Sequence, residues 1–193
     1  MTVKALPEAC KPFGWSDARP PGQPLASSGR CPVLVAGAGN WLLSSDRVGP
    51  RVLSLARDRY GPDVELCDIG SSALSLLDHL CGQDLLVVID ACIGRGEPGE
   101  VFVVEPDLDS VPSRGTSVHQ IGPMETLIVA GVLEPSSMPA RIVLLLVETG
   151  DFEETEEGKA CQRVVESLDR EIERWRRRRS TEALDGALEG GEP

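Results

Sequence analysis

The run LLVVID, residues 85–90, constrains the fold of this chain more than any other stretch. Five apolar residues follow one another without alternation, three of them β-branched, and the run ends on an aspartate. A strand with one face in water would alternate apolar and polar residues. An unbroken run of this length reads as a strand covered on both faces, which is the situation in parallel sheets flanked by helices. Residues 32–36 (PVLVA) and 142–147 (IVLLLV) have the same character. Aromatic residues make up only 4% of the chain, so the core between these runs has to be aliphatic.

Helical periodicity separates the runs. Val48, Val52, Leu55, Ala56 and Tyr60 recur at helical spacing, with Pro50 tolerated in the first turn. Residues 64–67 read as a second short strand, and the leucines at 74, 76, 77 and 80 mark a helix over 74–80. Residues 101–104 follow the turn EPGE and can pair antiparallel. A helix is expected over 121–133, ended by Glu134-Pro135, and a long amphipathic helix over 155–179 carries Ala160, Val164, Leu168, Ile172 and Trp175 on one face. This order predicts an α/β three-layer sandwich: a mostly parallel, twisted sheet of about five strands with helices on both faces. Residues 31–179 form the single domain. Residues 1–30, rich in Pro, Gly, Ser and Ala, are expected to be a flexible arm, and residues 180–193 a disordered tail.

The net charge of −12 excludes electrostatic binding to nucleic acid and to anionic membrane surfaces. No apolar run approaches the roughly 20 residues of a membrane span, and residues 1–24 lack the apolar stretch of a secretion signal. The six cysteines form no CxxC pair, and several lie within apolar runs. They read as reduced, buried thiols, and the expected location is cytoplasmic.

In sheets of this kind ligands bind beyond the carboxyl ends of the strands, so the loops after residues 36, 67, 90 and 147 come first. The first holds Gly37-Ala38-Gly39-Asn40. Leu42 stands where a dinucleotide fingerprint needs its third glycine, and no phosphate-loop lysine follows. A nucleotide enzyme is therefore the weaker alternative, and the glycines are expected to let backbone pass close to something at the strand end. Asp46, at the exit of that loop, is either a helix cap or a functional carboxylate. Asp90 closes a buried strand and needs a cation, a set of donors or solvent. His119, in TSVHQIG, precedes the next helix. Two carboxylates and one imidazole reaching one crevice suit a divalent ion such as nickel or zinc. The spacing by itself leaves a polar cap or surface role open for His119. Cys67 and Cys92 read as small core residues, and the arginines at 176–179 as a solvated helix end complementing the helix dipole.

Five segments in order, VLVAGAGNWLLSSDRVG, VELCDIGSS, LLVVIDA, SVHQIG and VLLLVETG, resemble the hydrogenase maturation protease family over about residues 33–150. These endopeptidases trim the C-terminal extension from the large subunit of nickel-iron hydrogenases. The resemblance implies that Asp46, Asp90 and His119 are the metal-recognising residues. They would engage nickel carried by the unprocessed subunit, a role in which zinc or another divalent ion can substitute. Gly37, Gly39 and Asn40 match the family's glycine turn. With Asp68 and Gln120 they are expected to line the substrate cleft, and Asp46, Asp68 and Asp90 are the candidates for a catalytic base. The partner implied is the precursor of a nickel-iron hydrogenase large subunit. A non-cleaving module that binds the metal or the subunit is the alternative. The chain departs from the family pattern at Ser45, Ile69 and Pro123, and no proline follows Glu148.

Overall fold

The computed structural model describes residues 31–108, 122–150 and 154–189. Five strands form one sheet: β1 (Val33–Ala38), β2 (Val64–Gly70), β3 (Leu85–Cys92), β4 (Val101–Val104) and β5 (Ile142–Glu148), in the order β2-β1-β3-β5-β4. All neighbours are parallel except β4, which pairs antiparallel with β5. Three α-helices, α1 (Val48–Ala56), α2 (Pro123–Leu133) and α3 (Glu154–Glu189), complete the α/β architecture.

Alternation along the strands divides the core into two layers. Val33, Val35, Leu85, Val87, Ile89 and Leu145 pack with α1 and α3, whose Val52, Leu53, Val164 and Leu168 are fully buried. Leu34, Ala36, Leu86, Val88 and Leu144 face the opposite layer, with Leu127 and Ala130 of α2 and with Leu76. Each such side chain contributes about 1.5–3 kcal/mol by leaving water, which is how a core poor in aromatic residues holds three layers together. The same alternation puts Asp90, next after Ile89, on the α2 side of the sheet.

The apolar stripe expected on the long helix is present: Ala160, Val164, Leu168, Ile172 and Trp175 are all buried. Four expectations need correction. Residues 74–80 fold as a 3₁₀ helix, Ala73–His79, because one short run between the extended Ser72 and Leu80 is too brief to repay α-helix nucleation. The first helix stops at Ala56 instead of reaching Tyr60, ahead of Gly61-Pro62. The helix expected from residue 121 begins at Pro123, since proline at the first helical position holds Gly122 extended, at φ −82° and ψ 178°. The tail expected from residue 180 instead continues α3 to Glu189. There Ser180 and Thr181 return their hydroxyls to the carbonyls of Arg176 and Arg177, and so do not break the helix.

The arginine run is also more than a solvated helix end. Arg176 makes a bidentate pair with Asp63, and Arg179 reaches Asp84 while lying over the Trp175 ring. Asp63 and Asp84 precede β2 and β3, so these contacts tie α3 to the amino edge of the sheet. Among the described residues no helix is long and apolar enough to cross a membrane.

Candidate functional site

The carboxyl ends of β1, β2, β3 and β5 lie along one edge, and each is followed by or ends in an acid. The loop from β1 folds back on itself. Asn40 N–H donates to the carbonyl of Asp46 at 2.8 Å, Asp46 N–H to that of Leu43 at 2.9 Å, and Leu42 N–H to Asn40 Oδ1 at 2.9 Å. Gly39, at φ +133°, makes this closure possible: a Cβ there would sit 1.9 Å from the Asp46 carbonyl oxygen. The close approach expected of the glycine turn is thus to its own loop. The space a phosphate would need is filled by main chain, which argues against the nucleotide reading. Gly37 serves the same end one turn earlier, against Gly49 and Leu53.

Asp46 is not a helix cap. Arg47 occupies that position on α1, and no side chain caps it. The Asp46 carboxyl is left half-buried at the mouth of the crevice. Burial raises its proton affinity, and the neighbouring Asn40 N–H partly offsets this. Asp90 is affected more strongly. Burial pushes it up to about 6, its bond from Ala91 N–H at 2.9 Å pulls it back, and the charge of Asp46 pushes it up again. That last influence puts the two carboxyls within electrostatic range of each other. The strand order supports this, because β1 lies between β2 and β3. Asp68 lies near the end of β2, across β1 from Asp90. It too is raised by burial, opposed by its bond from Gly70 N–H at 2.9 Å. The Trp41 indole N–H lies close enough to lower the Asp68 carboxyl further, yet it has no partner in hydrogen-bond geometry, so the contact is polar but not a formed bond.

Among the described residues, no lysine or arginine pairs with Asp46, Asp68 or Asp90. Nor do those residues contain a group of three His, Cys, Asp or Glu side chains arranged to hold a metal. His119 and Gln120 lie outside the described residues. The other histidine, His79, stands apart from the aspartates. Its Nε2 is 3.3 Å from Cys67 Sγ, and burial pushes that thiol up to about 12, which removes it as a thiolate nucleophile at neutral pH. The five described cysteines are all free thiols. Cys67 is buried as expected, whereas Cys92 is only half-buried, beside Asp90 and Glu148.

Two further acids shape the crevice, and the sequence reading did not single them out. Glu148, 2% exposed at the end of β5, accepts four backbone N–H bonds: Gly94 at 3.1 Å and Gly150 at 3.0 Å on one oxygen, Arg95 at 2.7 Å and Gly96 at 3.3 Å on the other. These donors, Arg95 first, hold its carboxyl below the usual range despite burial. Its place after an apolar strand, like that of Asp90, was the available signal. Glu157, 1% exposed in the first turns of α3, receives Arg47 at 2.6 and 2.8 Å and Arg51 at 2.8 Å. It braces the start of α1, and so the residue next to Asp46. Nothing in the local sequence marks this pair, because its partners are 110 residues apart.

Fold and site together define a three-layer α/β protein with an acidic crevice at the carboxyl edge of its sheet. The sequence model described as hydrogenase maturation protease matches residues 51–175, and the chain belongs to that family. It is 30% identical over 99 residues to the hydrogenase 2 maturation protease of Escherichia coli K12, covering 49% of this chain and 60% of that protein. It is 33% identical over 128 residues to the hydrogenase expression/formation protein HupD of Bradyrhizobium diazoefficiens, covering 63% and 65%. The chain spans about 60% of the length of the first curated relatives it matches. Among solved structures it resembles the hydrogenase maturating endopeptidase HybD of E. coli (TM-score 0.56, 23% identity, 72% of this chain and 93% of that one). It also resembles the NiFe hydrogenase maturation protease HycI of Thermococcus kodakarensis (TM-score 0.53, 24% identity, 73% and 92%). At these identities the structural likeness concerns the fold.

Proposed function

We propose that this protein is an endopeptidase that removes the C-terminal extension of a nickel-iron hydrogenase large-subunit precursor once nickel has been inserted. The observation that carries the reading is the placement of Asp46 and Asp90 at adjoining strand ends, one in the loop after β1 and one near the end of β3, within electrostatic range of each other. Two half-buried acids, neither in an ion pair with a lysine or arginine among the described residues, favour a positively charged occupant. Their hard oxygens suit a divalent ion. The nickel belongs to the substrate, and these residues read its presence.

His119 is the third member of the recognising set. Turn residues after α2 hydrogen-bond at the amino edge, where Gly82 N–H meets Ser137 O and Ala140 N–H meets Gln83 O. The helix therefore runs against the strands, and its first turn points back toward the crevice. His119 itself lies outside the described residues, three positions before Gly122 at the start of α2. Gln120 accompanies it as a cleft residue.

Hydrolysis adds water across one peptide bond: hydroxyl goes to the carbonyl carbon, a proton to the leaving amine. A carboxylate of pKa about 6 is ionised at neutral pH yet remains basic enough to take that proton from water. Asp90 suits this step, with Asp46 and Asp68 the other candidates.

The test is incubation with nickel-loaded and nickel-free precursor, followed by electrophoresis. Cleavage of the loaded form alone is expected, reduced at least about 100-fold in Asp90→Asn and in Asp46→Asn. Binding of the loaded precursor without shortening would replace the protease reading with that of a non-cleaving module.

A further inference from the structure

Single exposed leucines are ordinary. Here the two loops that carry Asp46 and Asp90 also carry three large apolar side chains into water: Leu42 is 90% exposed, Leu43 54% and Ile93 74%. They stand at neighbouring strand ends, since β1 and β3 adjoin in the sheet. Leu42 and Leu43 belong to the loop after β1. Ile93 lies on the β5 side, with its Cγ2 3.6 Å from where a Cβ on Gly150 would sit.

Both loops are held in place. The first is closed by the Asn40 and Asp46 bonds described above. The second is held by the bonds from Gly94, Arg95 and Gly96 to Glu148, and Arg163 of α3 donates to the carbonyl of Gly99 at 2.5 Å. Side chains presented in water on fastened loops lose little freedom when they are covered, and that favours binding.

We propose that Leu42, Leu43 and Ile93 form an apolar rim beside Asp46 and Asp90 that grips an extended, apolar and non-acidic segment of the protein substrate. This rests on the endopeptidase reading. The charge of the floor selects the occupant. Asp46 and Asp90 form no ion pair with a lysine or arginine among the described residues, so a segment bearing acids is repelled. A second copy of the chain, with net charge −12, would bring acid against acid. An extended strand alternates its side chains, so it can lay apolar groups on this rim while its backbone passes the acids.

The probe is a fluorescein-labelled peptide spanning the cut junction of a nickel-iron hydrogenase large-subunit precursor, alongside the same peptide with its Leu, Ile, Val and Met residues changed to Ser. The proteins are the wild-type chain, Leu42→Ser/Ile93→Ser and Asp90→Asn, with Val132→Ser, an exposed change on α2, as the surface control. Leu42→Ser/Ile93→Ser is expected to weaken binding of the apolar peptide, and to raise KM for loaded precursor, by about tenfold. The Ser-substituted peptide is expected to bind all proteins equally weakly. Thermal stability is expected to be unchanged, because both side chains are exposed.

Equal affinity of wild type and Leu42→Ser/Ile93→Ser for the apolar peptide overturns the rim, even if Asp90→Asn abolishes cleavage and the endopeptidase reading survives. Weakened binding with no cleavage by wild type keeps the rim and removes the protease. A wild-type dimer in light scattering that Leu42→Ser/Ile93→Ser converts to monomer also overturns the proposal and assigns the surface to a second copy.

Discussion

Asp90 shows how one residue's surroundings set its chemistry. Its place at the end of a buried strand is legible in LLVVID, and so is its need for a partner. What could not be read was that the charge it feels comes from another acid, Asp46, because that depends on where the β1 loop folds. The turn itself was legible only in part. Two glycines announced a close approach, but the partner in that approach, the carbonyl of Asp46, lies seven residues on and is met only once the loop closes. The raised pKa has a consequence for stability. The folded value of about 6 exceeds the unfolded value, so the native state holds the proton more tightly. The stability this contributes is complete below about pH 4 and is lost as pH rises through 6. Asp90→Asn is therefore expected to be more stable than wild type at pH 7.5, by on the order of 1–2 kcal/mol, and no more stable near pH 4. Urea unfolding at the two pH values checks this, and an equal gain at both would refute the burial account.

The elements themselves were readable wherever hydrophobic period was strong. All five strands and the buried stripe of α3 follow from it. The errors fall where period gives out: a short leucine run that makes a 3₁₀ helix, and ends decided by a proline, a glycine or two hydroxyls. The contacts between elements were not readable at all, since Glu157 with Arg47 and Arg176 with Asp63 are paired across more than a hundred residues. Glu148 belongs to this class, because its neighbours converge from the loop after β3 and from Gly150. Glu148→Gln puts an amide N–H₂ among backbone N–H groups and deprives one pair of its acceptor. It is expected to cost about 1–3 kcal/mol. Amide exchange at Gly94, Arg95 and Gly96 is expected to speed up while the strands keep their protection. Hydrogen exchange resolves the two regions, and uniform acceleration would mean that the carboxylate stabilises the whole fold and not one loop.

Across the whole molecule, α3 is fastened at both edges of the sheet: by Glu157 beside the crevice and by Arg176 and Arg179 at the amino edge. The distant pairs are exposed and should be weak. Replacing both Arg176 and Arg179 with alanine is expected to cost no more than about 1–2 kcal/mol in total. That loss is expected to shrink in high salt and to leave cleavage unchanged. Thermal melts at low and high ionic strength, with a cleavage assay alongside, check both halves of the expectation. The crevice mouth therefore has two unlike jaws. One is riveted through a rigid rod to the far side of the protein and cannot swing alone. The other is pinned at its tip by one carboxylate and further along by Arg163, so any widening of the mouth to admit a bulkier chain begins at Glu148, where the tip lets go.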